Sequence, residues 1–479
     1  RAGLAAADSI WARTLVPSYL HSHNDSAIPA GDDAFVSQVD NFSSATRFIV
    51  EGVSLFPADS VDRWLSPQSD ATGRLSLRRR LDALMEKYRN AGYDLAVAHS
   101  ITLDSAGTTT ITIDEGLVHR IDVHKDGKTR DWVVRSYFPL RRGKPITVAR
   151  AMRGMRDIYG TDLFDRVTLH IVPEEGGARI VIGVKERKSM QARFGWHWDD
   201  HFQSEEFVEL LNDNVFGLGV EYLAHAGYGL DRQAFYGELR ANRILSTYLT
   251  GQIRLGYSHI DRTTYDTSGN PVGIREESKF GLMLNAGQQI ARLGAVTAGF
   301  SIDRVRYDDH VLPVEEFTLN SLNLESTVET FDRVPFPLSG KRHMMQVRFS
   351  QKYLGSGQSF TRFFSSLEGY YTIARNYTYH PKIMVGLSND GLPASERFYL
   401  GGIQSLYGYR GEALSGDKCL LLNQEFRVRL PLRFYASTRW DIGDVYNHFD
   451  QLKLKNLRQG FGGALALDTP IGPFELAYG

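Results

Sequence analysis

The chain has 479 residues, of which 42% are hydrophobic. No stretch approaches the roughly 18–20 consecutive apolar residues that a membrane-spanning helix needs, so a helical membrane protein is excluded. The formal net charge of −1 does not favour nucleic acid as a partner. The single cysteine, Cys419, can form no internal disulfide and lies among apolar residues, so we interpret it as a small packing residue.

Residues 1–45 predict a helix followed by a linker. Residues 1–13 are alanine-rich and compatible with a helix, whereas Pro17 and residues 21–31 are typical of a loop. The sequence begins at Arg1 with neither methionine nor a signal peptide, so we expect a mature, trimmed or partial product.

Residues 46–115 and 116–188 each predict a small α+β module with the element order strand, helix, helix, strand, strand. In the first module the apolar residues Leu77, Leu81, Leu84, Met85 and Tyr88 recur at helical spacing. Its predicted strands are 47–52, 95–103 and 109–114. The second module predicts strands at 118–124, 166–172 and 178–184, and helices at 129–137 and 147–159.

The second module resembles the POTRA domain in the segments that flank its longer helix, 138–146 and 158–167. POTRA modules accompany outer-membrane translocators. The resemblance therefore implies a periplasmic location, with strand edges that can pair with an extended polypeptide. The alternative, two unrelated α+β linkers, does not explain why the same element order occurs twice.

Residues 189–479 alternate apolar and polar side chains, as strands of a membrane barrel do. In residues 418–430 one face carries Leu420, Leu422, Phe426, Val428 and Leu430, and the other carries Asn423, Glu425, Arg427 and Arg429. The charged face suits a wet lumen better than a packed core. In the same way Val347 is expected to face lipid and Arg348 the lumen, so that Arg348→Ala should cost little stability.

Candidate strands lie at 248–257, 344–353, 363–372, 379–388, 418–430, 433–444, 459–468 and 473–478. We count about fifteen in all, so either a sixteenth strand lies beyond the given residues or the count is wrong. The predicted fold class is therefore β with α+β N-terminal modules: two POTRA domains followed by a transmembrane antiparallel β-barrel of about 16 strands. A large soluble β protein is the alternative.

Residues 401–411 carry the motif that bears most on function. Its residues Gly401, Gly402, Ser405, Leu406, Tyr407, Gly408 and Tyr409 resemble the conserved loop of the BamA-like surface-antigen superfamily, which includes barrel-assembly proteins and two-partner secretion transporters. The resemblance implies a loop after the eleventh strand that folds back into the barrel, with a Val-Arg-Gly-Phe/Tyr tip whose arginine docks on acidic wall residues. Residues 439–444 and 468–473 resemble two further motifs of that superfamily.

Tyr407 occupies the position of that arginine, so the expected docking needs a substitute. We predict that Arg410 takes this role, with Glu425 and Asp441 as its partners on the barrel wall. The alternative is a glycine-rich surface loop, with both carboxylates solvated by channel water.

The sequence from Leu406 to Arg410 resembles the branch of the superfamily that is fused to an N-terminal patatin-like phospholipase, and residues 1–8 resemble the helix that closes a patatin domain. Such a hydrolase needs a Gly-x-Ser-x-Gly nucleophile elbow. That pentapeptide does not occur in the 479 residues, and Gly355-Ser356-Gly357 lacks the outer glycines. Residues 21–25 and 196–201 lack the spacing of established metal sites, so we predict neither catalytic residues nor a metal or other cofactor.

Three functions remain open. The first is an outer-membrane translocator or insertase of a polypeptide client, which would be its own patatin-like lipase. The second is a membrane anchor of a phospholipase, and the third is a two-partner secretion transporter. The expected partners are membrane lipid, an extended client and the phospholipid substrate of an upstream domain, and the expected location is the bacterial outer membrane.

Overall fold

The structure is a computed structural model that describes residues 47–65, 77–103, 108–174, 177–242, 244, 247, 249–265, 271–290, 293–309, 313–389, 391–451, 455 and 457–479. The predicted helix and linker in residues 1–45, with the segment that resembles a patatin terminus, lie outside the described residues. The chain divides into two compact units: residues up to Lys188 with Phe216–Leu218, and the remainder.

The first module contains every element that its sequence predicts. The elements are β1 (Arg47–Glu51), α1 (Ala58–Leu65), α2 (Leu77–Asn90), β2 (Val97–Leu103) and β3 (Thr108–Asp114). The sheet order is β1-β3-β2, with β1 parallel and β2 antiparallel to β3. Leu84 and Tyr88 of α2 pack against Ile111 and Ile113 of the central strand, because their helical spacing places them on one face.

A buried carboxylate fixes the loop that leads into α1. Glu115 accepts hydrogen bonds from the backbone nitrogens of Ser54 (2.9 Å) and Leu55 (3.0 Å) and from the Tyr88 hydroxyl (2.7 Å). Burial, followed by this hydrogen bond and the negative charge of Glu115, raises the pKa of Tyr88 above its ordinary value.

The second module repeats the topology with a larger core. Its elements are β4 (Val118–Asp126), α3 (Asp131–Ser136), α4 (Val148–Tyr159), β5 (Phe164–Glu174) and β6 (Gly177–Glu186), in the sheet order β4-β6-β5. The Thr147 hydroxyl caps α4 by accepting a hydrogen bond from the Arg150 nitrogen. In both modules the last strand is central, so the two earlier strands form the sheet edges.

The second unit is built on one 15-stranded antiparallel sheet. Its strands are β7 (Met190–Asp199), β8 (Gln203–Asn212), β9 (Val220–Gly229), β10 (Arg232–Ala241), β11 (Leu249–Tyr265), β12 (Pro271–Ile290), β13 (Gly294–Asp308), β14 (Glu315–Glu329), β15 (Gly340–Ser350), β16 (Phe360–Ala374), β17 (Tyr377–Ser388), β20 (Lys418–Arg429), β21 (Phe434–Tyr446), β22 (Arg458–Thr469) and β23 (Gly472–Tyr478). Two short strands, β18 (Phe398–Leu400) and β19 (Leu414–Gly416), pair only with each other. The order follows the sequence, and no backbone pairing among the described residues joins β7 to β23.

The two faces of the sheet differ as the alternation predicts. Ile253 and Leu255 on β11 are about half exposed on the outer face, whereas Arg254 points inward over the Tyr236 ring. Arg348 is likewise inward and buried among charged groups, so its lumen-facing orientation is confirmed. The strand predicted at 344–353 is displaced to β15, since Lys352–Leu354 forms a 3-10 turn. None of the helices in the described part of the chain is long and apolar enough to cross a membrane.

Candidate functional site

The connection between β17 and β20 folds back into the sheet. It follows the eleventh strand counted from β7, as the resemblance implied. Its β18–β19 hairpin carries the tip, residues 401–413, and the side chains of Leu406 and Tyr407 are 0% and 5% exposed. Leu400 and Leu406 pack in one apolar cluster with Val305, Leu319 and Phe360 of the surrounding strands, so the sheet curves around this loop.

The tip has a conformation that its glycines and its serine explain. Gly401 and Gly402 have φ angles of 124° and 84°, in the region that favours glycine. The Ser405 hydroxyl accepts a hydrogen bond from the Gly401 nitrogen and donates one to the Gly401 carbonyl, both at 2.8 Å. The Gly402 nitrogen donates to the Tyr409 carbonyl at 2.8 Å, which closes the turn.

One wall carboxylate holds the tip. Asp441 on β21 has no exposed side-chain surface, and it accepts a hydrogen bond from the Tyr407 nitrogen at 2.9 Å. The same carboxylate accepts hydrogen bonds from Asn423 at 2.6 Å and Arg439 at 3.0 Å. A buried carboxylate with four satisfied contacts is stable, and it fixes both the wall and the loop backbone.

Wall side chains also bind the loop carbonyls and the tyrosine ring. Arg439 donates to the Ile403 carbonyl at 2.8 Å, and its guanidinium lies 3.9 Å from the centroid of the Tyr407 ring. Asn423 donates to the Ser405 carbonyl at 2.8 Å. A Cβ atom at Gly460 would come within 2.0 Å of the Tyr407 carbonyl oxygen, so glycine on β22 is required for this close approach.

The structure corrects the role predicted for Arg410. Its side chain is exposed and makes no hydrogen bond or ion pair with Glu425 or Asp441. Glu425 instead pairs with Arg427 (3.0 Å) and His380 (2.7 Å) on the wall. A wall residue replaces the arginine that the loop lacks: Arg439 pairs with Asp441, and its guanidinium lies over the Tyr407 ring. Arg439 lies two residues before Asp441, on the same face of β21. This spacing of opposite charges is the sequence feature that could have predicted the pair.

A second carboxylate, which sequence reasoning missed, anchors the base of the loop. Glu396 is almost fully buried and pairs with Lys279 (3.1 Å) and Arg348 (2.7 Å), while its carbonyl accepts a hydrogen bond from Arg362 (3.0 Å). Arg348 also pairs with Asp303. A single glutamate in a loop carries no sequence signal for this role, because its partners come from β12, β15 and β16.

The loop also contacts strands at the start of the sheet. Glu412 pairs with Arg262 of β11 at 2.8 Å, and a Cβ atom at Gly411 would meet the His201 ring at 2.6 Å. In the 196–201 segment, Asp199 bonds to His197 and to the backbone nitrogen of His201, which makes it a turn-forming residue. The loop therefore spans the lumen and makes contacts on many strands.

Residues 330–339, between β14 and β15, fold over the other end of the lumen. The Phe336 ring stacks on Tyr435 with centroids 4.3 Å apart, and Phe331 meets Tyr370 edge-on at 5.1 Å. Arg427 lies over the Phe336 ring at 5.5 Å. A cavity of about 590 Å³ borders Glu396 of the loop and is lined by charged residues that include Arg254, Lys279 and Glu325.

A barrel-like antiparallel sheet around an inward loop, preceded by α+β modules, is the arrangement to be compared with known proteins. The model of the Omp85 superfamily domain matches residues 214–479, more than half of the chain. The chain belongs to the Omp85 superfamily. The predicted superfamily is thereby confirmed at this level, and so is the predicted fold class of POTRA-like modules and an outer-membrane β-barrel.

A curated relative agrees with this assignment. The chain is 24% identical, over 438 residues, to the outer membrane protein assembly factor BamA of Nitratidesulfovibrio vulgaris. The aligned residues make up 83% of this chain and 53% of that protein. The chain thus spans about half the length of the curated relative that it matches.

Two solved structures share the fold. BamA from Haemophilus ducreyi lacking POTRA domains 1–3 has a TM-score of 0.64 at 14% identity, covering 91% of this chain and 95% of that one. CdiB from Escherichia coli has a TM-score of 0.53 at 17% identity, covering 90% of this chain and 88% of that one.

The predicted location, a bacterial outer membrane with the N-terminal modules in the periplasm, is confirmed.

Proposed function

We propose that this Omp85 protein inserts or translocates a polypeptide client at the outer membrane, and that the loop from residue 389 to 417 gates its lumen. The inward loop carries this proposal, because it lies inside the barrel and contacts strands on several parts of the wall. Its tip is bound to the wall through backbone groups at Ile403, Ser405 and Tyr407. Backbone contacts of this kind can break and re-form without loss of the surrounding strands.

The N-terminal modules supply the surface that would receive the client. An extended chain can add to a sheet edge through main-chain hydrogen bonds, which are independent of the client sequence. The edge strands are β1 and β2 in the first module, and β4 and β5 in the second. Such edges suit a client that arrives unfolded.

We further propose that the client is a patatin-like lipase domain of the same protein. This proposal rests on the motif from Leu406 to Arg410. The rival functions, a phospholipase anchor and a two-partner secretion transporter, predict different upstream sequences. A Gly-x-Ser-x-Gly elbow ahead of Arg1 would support the lipase link, since that motif positions a nucleophilic serine. A short plug helix there would favour the transporter.

The gating proposal is tested by tethering the loop. Ser405 and Asn423 are replaced by cysteine in a Cys419→Ala background, so that no other thiol is present. The two sites are adjacent, because Asn423 donates to the Ser405 carbonyl at 2.8 Å. A short cleavable thiol crosslinker then joins the two cysteines. In liposomes, the tethered protein should lose client insertion or translocation and regain it on cleavage. Each single-cysteine variant is the control.

The assay has two arms that separate the modes of action. One follows folding of an unfolded β-barrel polypeptide into the liposome membrane, and the other follows protease protection of an extended polypeptide that enters the lumen of the liposome. Full activity of the tethered protein in both arms would show that the loop is no gate.

A further inference from the structure

Three potential metal ligands lie together on β11 and β12, far from the loop in sequence. One ligand atom from each of His259, Asp261 and Glu276 can be chosen so that all three lie within 4.8 Å of one another. Asp261 and Glu276 are direct cross-strand partners, and His259 stands two residues before Asp261 on the same strand face. Two strands of fixed register therefore bring the three side chains together.

The cluster is on the outer wall of the barrel. Tyr257 and Phe280 form the cross-strand pair two residues nearer the membrane centre, and both rings are exposed on the lipid side. Since β7 follows the periplasmic modules and strands alternate in direction, β11 ends on the external side. The cluster thus lies on the external side of the exposed aromatic rings, at the membrane–water interface.

The bonding at His259 is that of a prepared metal ligand. Its Nδ1 lies 2.9 Å from the Ser278 hydroxyl oxygen, which leaves Nε2 directed at Asp261. Metal-binding histidines are commonly oriented in this way by a partner at the second ring nitrogen. The Nε2 and Asp261 Oδ1 atoms are 3.1 Å apart. Neighbouring ligands of tetrahedral zinc lie about 3.4 Å apart when zinc–ligand distances are about 2.1 Å.

The carboxylates add an independent reason for a bound cation. Asp261 Oδ1 is buried and faces His259 Nε2 at 3.1 Å, but this contact lacks hydrogen-bonding geometry. A divalent cation held between His259, Asp261 and Glu276 would satisfy Oδ1.

We infer that His259, Asp261 and Glu276 form a binding site for a first-row divalent cation, with zinc as the best match. The imidazole nitrogen selects such metals over calcium and magnesium, which prefer oxygen ligands. Three protein ligands leave at least one position open to water or to a lipid headgroup oxygen.

The test uses the full chain without an affinity tag, refolded in detergent micelles, treated with chelator and titrated with Zn²⁺ in a calorimeter. His259→Gln, Asp261→Asn and Glu276→Gln should each weaken zinc binding at least about tenfold, and Ser278→Ala should weaken it by roughly 10–100-fold, because loss of an orienting partner has that effect. His197→Gln is the matched control, since His197 and Asp199 have the same i, i+2 spacing and an ion pair of 2.9 Å.

A stability measurement separates a metal ligand from a structural ion pair. Without metal, Asp261→Asn should change the unfolding temperature of the heat-modifiable barrel only slightly, because the partly exposed pair of His259 and Asp261 contributes little to stability. Zinc should raise that temperature in the parent and the control but not in the three ligand variants. The inference is overturned if the parent binds no zinc, if calcium binds as tightly, or if the variants bind zinc within twofold of the parent.

Discussion

Asp441 and Arg439 form the residue-scale centre of the loop site. Asp441 is completely buried, and its charge is balanced by a guanidinium that also binds the Ile403 carbonyl and the Tyr407 ring. Such a pair is strongly destabilised when one charge is removed, because the partner remains buried without compensation. Loop docking should therefore depend on this pair more than on the exposed Arg410.

Asp441→Asn is expected to release the loop tip. Loss of the charge leaves Arg439 uncompensated and should cost the docked loop about 3 kcal/mol, the scale of a broken buried pair. Ion conductance in planar bilayers should rise, and protease cleavage should appear between residues 401 and 416. Heat-modifiable migration should persist. Arg410→Ala is the control, and an equal opening by that variant would contradict the assigned contact.

Arg348 is predicted to matter for stability, contrary to the small effect that its lumen position alone suggests. It pairs with Glu396 and Asp303, so Arg348→Ala should cost about 3 kcal/mol. Val347→Arg on the lipid face should cost about 2–4 kcal/mol near the midplane. Urea titrations in lipid vesicles measure both. A double-mutant cycle of Arg348→Ala with Glu396→Gln should show coupling of about 0.5–3 kcal/mol, and additivity would disprove the pair.

At the element scale, the first module depends on the contact between α2 and the loop before α1. Glu115 joins these two elements. It accepts a buried hydrogen bond of 2.7 Å from Tyr88 of α2, and it also accepts hydrogen bonds from the backbone nitrogens of Ser54 and Leu55 in the loop. Each module also packs its own helices on its own sheet. A fragment of residues 46–187 is therefore expected to fold in water without detergent.

Within that fragment, Glu115→Gln should lower the free energy of unfolding by about 1–3 kcal/mol, since it weakens several buried hydrogen bonds. The raised pKa of Tyr88 also predicts a pH dependence. Its contribution is complete below about pH 10, the ordinary tyrosine value, and is lost as the pH rises above it because only the unfolded chain ionises there. Urea unfolding followed by circular dichroism at several pH values measures it. Tyr88→Phe should remove this part of the pH dependence, and an unchanged profile would count against the contact.

At the scale of the whole barrel unit, two segments contact the lumen wall from opposite ends. The loop from residue 389 to 417 enters from one side, and residues 330–339 cover the other through the stack of Phe336 on Tyr435. Both segments contact β20, because Arg427 lies over the Phe336 ring and Asn423 donates to the Ser405 carbonyl. Full opening therefore requires both segments to move.

Phe336→Ala should raise ion conductance modestly, because an aromatic pair of this kind contributes about 0.5–1.5 kcal/mol. Combined with Asp441→Asn, the increase should exceed that of either variant alone. Single-channel recordings in planar bilayers provide the measurement, with the exposed Val334→Ala as the control. If Phe336→Ala adds nothing to Asp441→Asn, residues 330–339 do not restrict the lumen.

The sequence by itself determined the elements and the faces of this protein. Helical spacing from Leu77 to Tyr88 predicted α2, and the alternation in residues 418–430 predicted β20 with its charged face inward, since both patterns are local. The glycine and serine motif at residues 401–405 predicted the inward loop by resemblance. These features depend on neighbours in the chain, so they could be read without coordinates.

Only the tertiary structure decided which charges meet. Arg410 was the nearest cation in sequence to Gly408, but the curvature of the sheet brings Arg439 to Tyr407 from a strand more than thirty residues away. Glu396 gains partners from three strands, and Asp261 faces Glu276 only because of the β11–β12 register. Charge pairing inside a barrel depends on which strands lie opposite, and that follows from how the whole sheet curves.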